Sequence, residues 1–178
     1  FPDRLKPINI KADVDLAGKF RSIREINHEI RRLNLSAYAP LRYVLPHKQE
    51  VYDKKYSTRI RGGEGFFRQV DREESLIHLL RVNVLKRMES AVPSFALTVQ
   101  RQLRDVEGTL ARIENHVAEL EEIDIEDIDV DDPAFESLLV GRKVKVLLND
   151  VDLVRWRQDL IEERNRLATL YAEAAQVD

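Results

Sequence analysis

The glycines of RGGEG (61–65) are the first residues in this 178-residue chain whose type and spacing could do chemistry. A phosphate-binding loop runs Gly-x-x-x-x-Gly-Lys-Ser/Thr between a strand and a helix, so that backbone amides and the Lys hold the phosphates of a nucleotide. RGGEG has no Lys-Ser/Thr behind it and no strand pattern before it, and it reads as a plain loop. Asp127, Asp129 and Asp131 have the 1, 3, 5 spacing of a calcium loop, but Asp132 stands where the turn needs Gly and Leu138 where a bidentate Glu belongs. A solvated acidic linker is the expected role. His28, His47, His78 and His116 have no second His or Cys at ligand spacing, so structural roles are expected of them. The acids of ELEEIDIEDID are scattered and do not end a short apolar strand, as a nucleotide-hydrolysing pair should. The sequence therefore assigns no catalytic, cofactor-binding or metal-ligating residue, and no cofactor to this chain.

The basic residues of the middle are more informative. Arg59, Arg61, Arg68, Arg72, Lys86 and Arg87, with Arg81 among them, lie close in sequence to Phe66 and Phe67. Arg and Lys neutralise phosphates and tie affinity to salt, which makes the first six the candidate nucleic-acid-binding set. An ordinary charged helix face has the same composition, and both readings stay open. The formal net charge of −3 hides an asymmetry: residues 41–104 hold 13 basic and 7 acidic side chains, whereas 105–136 hold 1 and 13.

Several elements must position these residues. Ser22 and Glu25 spell a capping box, and Ile23, Ile26, Ile30 and Leu33 follow at helical spacing. Pro40 and Pro46 stand where each could begin a short helix, since a first-turn Pro gives up no needed amide. Asp71 and Glu74 suggest a second cap before a helix buried along Ile77, Leu80, Val84 and Met88. Pro93 predicts a kink or restart near residues 90–93. Val99, Leu103, Val106, Leu110, Ile113, Val117 and Leu120 then step as a heptad seam, and Leu153, Trp156, Leu160, Leu167, Leu170 and Ala174 repeat the pattern. Two seams joined by a connector predict an antiparallel hairpin.

Composition narrows the class. The chain has no Cys, so it forms no disulfide or thiolate metal site, which fits a reducing, cytoplasmic compartment. No apolar run approaches the roughly 20 residues of a membrane-spanning helix, and no membrane partner is expected. Phe1 in place of an initiator Met leads us to expect a piece of a longer polypeptide.

The run FFRQVDREESLIHLLRVNVLKRMESAVPSF (66–95) resembles a segment of large bacterial Snf-type superfamily II helicases. In that family an Asp-Arg-Glu start leads into a helix closing with a Leu-Lys-Arg-Leu-Glu-Ser-Ser-like signature. Here the signature is Leu85, Lys86, Arg87, Met88, Glu89, Ser90 and Ala91, with Phe95 downstream; Met88, Ala91 and Pro93 depart from it. FPDR, GKFRSIREIN and PLRYVLP resemble the stretch leading into that helix. The resemblance implies a helical insert between two RecA-like motor lobes, with ATP and Mg bound by the lobes and none of the family's hydrolytic residues in this chain.

The expected fold is all-α, a long antiparallel, coiled-coil-like helical hairpin with short N-terminal helices packed beside it. The expected layout is one accessory domain: an irregular N-terminal part with short helices (1–70), a long kinked helix (71–121), an acidic connector (122–149) and a C-terminal helix (150–178). The expected function is to couple the motor lobes of an ATP-dependent DNA helicase or translocase and help them grip DNA, without catalysis of its own. The alternative is a helical protein-interaction or dimerisation module whose seam binds a partner or a second copy of the chain.

Overall fold

The structure is a computed structural model that describes residues 20–56, 58–59, 66–115, 119–121 and 144–177. The capping box forms: the Glu25 carboxylate accepts from the Ser22 amide and hydroxyl, and the Glu25 amide donates to Ser22 Oγ at 3.4 Å. It starts α1 (Ile23–Arg31), which buries Ile26 and Ile30. Next come three short 3₁₀ turns, Ser36–Tyr38, Pro40–Tyr43 and Pro46–Lys48, the last two opened by the prolines, and then α2 (Gln49–Tyr56). Two-residue strands β1 (Thr58–Arg59) and β2 (Phe66–Phe67) pair antiparallel and lead into α3 (Gln69–Ser90).

Ala91 alone, in extended conformation, separates α3 from α4 (Val92–Glu114). Pro93 falls in the first turn of α4, where its missing amide is not needed. The predicted long kinked helix over 71–121 is therefore corrected: two helices meet at a one-residue corner, and Glu119–Glu121, with Leu120 of the proposed seam, form strand β3. That strand pairs antiparallel with β4 (Lys145–Leu147). The predicted cap at Asp71 and Glu74 is corrected as well. The helix begins at Gln69, with Arg68 at its N-cap and no side-chain bond there, because the ladder of β1 and β2 delivers the chain into the first turn.

The last helix, α5 (Leu153–Ala174), is capped by Asp152, whose carboxylate accepts from the Arg155 amide at 3.1 Å. It runs antiparallel to α4: Arg157 near its start pairs with Glu114, and Tyr171 near its end accepts from Gln100. The seam closes inside the chain, with Val99, Val106, Leu110 and Ile113 buried against a helix whose Trp156, Leu160, Leu167, Leu170 and Ala174 are also buried. The fold is all-α in character, and the strands of the described residues are confined to two two-stranded ladders. Among the described residues no helix is long and apolar enough to cross a membrane. Leu110→Ala should lower the unfolding free energy by roughly 2–5 kcal/mol, because a buried leucine between two long helices leaves a cavity when truncated. Urea melts measure this, and an unchanged midpoint would contradict the hairpin.

Residues 36–56 form a strap across the bundle, pinned by tyrosines. Tyr38 donates to Asp105 on α4, and Tyr43 donates to Asp159 on α5 at 2.7 Å. Tyr52 donates to Asp150 at 3.0 Å and accepts from the Leu147 amide, while Tyr56 both accepts from the Lys145 amide and donates to its carbonyl.

Candidate nucleic-acid interface

The six basic residues singled out by sequence do not make one face. Arg68 is exposed at the start of α3 and bonds Asp53 at 3.3 Å. Arg72, one turn on, is buried and has interactions of its own within the fold, so its place in the candidate set is corrected: the helix turns it toward the core. Lys86 is exposed, and Arg87 beside it is half-buried with its own interactions. Lys86 stands 18 residues beyond Arg68, about 27 Å along a helix at 1.5 Å per residue, too far for one phosphate to meet both. Arg59 has its backbone in β1; its side chain, and Arg61 entirely, lie outside the described residues. So do His116 and the acids at 127, 129 and 131. Among the described residues no group of acids and histidines could hold a metal ion.

What the fold does bring together is a different trio. Arg42, Arg68 and Arg155 line a cleft of about 310 Å³, with Asp53 and Glu74 also on its wall. Each arginine sits on a fixed support. Arg42 belongs to the Pro40–Tyr43 turn, whose Leu41 amide donates to both carboxylate oxygens of buried Glu73, at 3.2 and 3.1 Å. Arg155 is in the first turn of α5 and lays its guanidinium over the Tyr43 ring, 5.6 Å from the centroid. That ring is itself stacked on Trp156, centroids 5.3 Å apart and planes 10° from parallel, so the platform is rigid. Arg68 is set by the start of α3. Among the described residues this trio makes two guanidinium hydrogen bonds, both long: Arg42 to the Asn34 carbonyl at 3.5 Å and Arg68 to Asp53 at 3.3 Å. A guanidinium carries five N–H donors, so most of the donor capacity here is open to solvent or a ligand.

The second polar centre is buried. Glu163 of α5 is 2% exposed and accepts from the Ser36 amide at 2.9 Å and the Ser36 hydroxyl at 2.6 Å, both through Oε2. Its Oε1 is buried with no hydrogen-bond partner among the described residues. Burial pushes the carboxyl pKa up, against the Ser36 bonds that pull it down. Trp156 Nε1 donates to the Ser36 carbonyl at 3.0 Å, so α5 grips both sides of one residue. Just before it Leu35 sits in the left-handed region (φ 50, ψ 42), a conformation that costs a side chain about 1–2 kcal/mol and that the Glu163 and Trp156 bonds hold in place. This centre serves to fix the strap. Arg81, counted with the basic residues of the middle, also belongs to the frame: its guanidinium donates twice to the Leu33 carbonyl, at 2.9 and 2.6 Å.

Sequence reasoning missed Arg42 and Arg155, and with reason, since neither belongs to a basic cluster in the chain. Glu163 did have a signal: it falls between Leu160 and Leu167 at the seam position where a leucine is expected. Comparison with models of protein families, with curated proteins and with solved structures gives no match.

Proposed function

We propose that this chain is an accessory helical segment of an ATP-driven DNA helicase or translocase, placed between the motor lobes and adding to their grip on DNA. The observation that carries the reading is the run 66–95, which resembles the interlobe segment of Snf-type helicases and supplies all of α3 and the corner into α4. A stiff helix with a one-residue corner suits a part that transmits the movement of one lobe to the other. The arginine-lined cleft agrees with a nucleic-acid role. On this reading ATP and its Mg ion belong to the lobes, the partners are the lobes and DNA, and the setting is the cytoplasm.

The alternative, a homodimer through the heptad seam, has less to support it, because the seam residues are buried within one chain. Titration of labelled DNA with the chain over a series of salt concentrations tests the proposal. The expected result is binding whose log affinity falls linearly with log salt, as phosphate neutralisation requires. Absence of DNA binding at low salt, together with a concentration-dependent dimer in sedimentation, would replace it with the interaction module.

A further inference from the structure

We propose that the cleft among Arg42, Arg68 and Arg155 seats one backbone phosphodiester of a nucleic-acid strand. The inference rests on the nucleic-acid reading above and gives it a location that the basic run of the sequence did not indicate. Three arginines from three separate elements converge on one recess, and their sparse, long hydrogen bonds leave donors unused. Planar guanidinium groups match the paired oxygens of a phosphate. The start of α3 adjoins the recess through Arg68 and Val70; no side chain caps it, so the positive end of a 22-residue helix adds to the field.

The acids on the wall refine the choice of ligand. Three cations against Asp53 and Glu74 leave one formal positive charge, which suits the single negative charge of a phosphodiester better than the higher charge of a phosphomonoester or pyrophosphate. Asp53 is also positioned to release Arg68, since their bond at 3.3 Å is a single contact on an exposed arginine. The site is a recess walled by the Pro40–Tyr43 turn, α2, α3 and α5, whereas a bilayer offers a flat plane of headgroups.

The test compares the full chain with Arg42→Gln, Arg155→Gln and the double variant, using labelled single-stranded and duplex DNA in a salt series. Arg24→Gln, an exposed arginine of α1, serves as the control for loss of one charge elsewhere. The double variant should bind DNA roughly tenfold more weakly, and its log–log salt slope should flatten by about 0.7 on single strands or 0.9 on duplex. Arg24→Gln should change neither by a comparable amount. Pyrophosphate should compete no better than its ionic strength accounts for. Thermal melts of each variant confirm that the fold is retained; should Arg155→Gln unfold, Arg42→Gln carries the comparison alone.

If the unaltered chain binds no DNA, the nucleic-acid reading fails and the seat fails with it. If the chain binds DNA and the cleft variants match Arg24→Gln in affinity and slope, the reading stands and the seat is wrong. Binding to anionic phospholipid vesicles that the cleft variants abolish, with DNA binding unaltered, would overturn the seat in favour of a headgroup.

Discussion

Trp156→Ala lowers the unfolding free energy by roughly 3–5 kcal/mol, the range for truncating a large buried aromatic. The expected cost is high because three contacts are lost at once. The indole is 1% exposed, it stacks on Tyr43, and its Nε1 hydrogen holds the Ser36 carbonyl against α5. Without it that carbonyl is buried beside a cavity, and Arg155 loses the backing of the Tyr43 platform. Trp156→Phe keeps an aromatic face for Tyr43 but gives up the N–H, so it should cost less than the alanine variant. Trp156 is the one tryptophan of the chain, so its emission reports its own burial in urea melts of the parent, and circular dichroism follows the variants. A Trp156→Ala protein that melts within about 1 kcal/mol of the parent would mean that α5 does not hold the strap in this way.

Alkaline pH should destabilise the protein through its tyrosines. Burial, and then the neighbouring Asp105 carboxylate, raise the Tyr38 pKa well above the ordinary value near 10. Burial, and then the hydrogen bond to Asp159, do the same for Tyr43. A raised folded pKa means that the folded chain keeps a proton the unfolded chain releases. The stability each tyrosine contributes is thus intact below about pH 10 and falls above it by about 1.4 kcal/mol per pH unit, until the folded pKa is reached. The two declines add for as long as the pH stays below both folded pKa values. Urea midpoints between about pH 9 and pH 12 measure the slope. Tyr43→Phe starts lower, because Asp159 loses its donor, yet declines less steeply; parallel slopes in parent and variant would contradict the assignment.

Much of the fold was legible because local rules and tertiary packing agree there. Ser22 and Glu25 form the box they spell, Pro40 and Pro46 open turns, Pro93 restarts a helix, and the residues at seam spacing are largely buried between α4 and α5. The start of α3 was misread for a physical reason: Asp71 and Glu74 are better capping types than Arg68, but the ladder of β1 and β2 decides where the chain enters the helix. Leu35 shows the same conflict, since Asn34 beside it is the residue that tolerates a left-handed backbone and the strap imposes that conformation on leucine instead. The candidate site was the least legible part. Nearness in sequence placed Arg72 with Arg68, and one helical turn sent it into the core. Arg42 and Arg155 are 113 residues apart and meet only because the strap crosses the start of α5.

The pairing of α2 with β4 has a consequence for how the chain keeps to itself. Tyr52 and Tyr56 are one helical turn apart, about 6 Å along the axis, and alternate residues of a strand are about 6.6 Å apart. The near match lets two phenol groups on one side of a helix meet the amides of Lys145 and Leu147 in turn, on a three-residue strand whose other neighbour is β3. A helix thus occupies the position a third strand would take. Open strand edges recruit strands from other molecules and so begin aggregates. Here two hydroxyl groups turn away such recruits, and they do so with the same tyrosines that tie α2 to the rest of the fold.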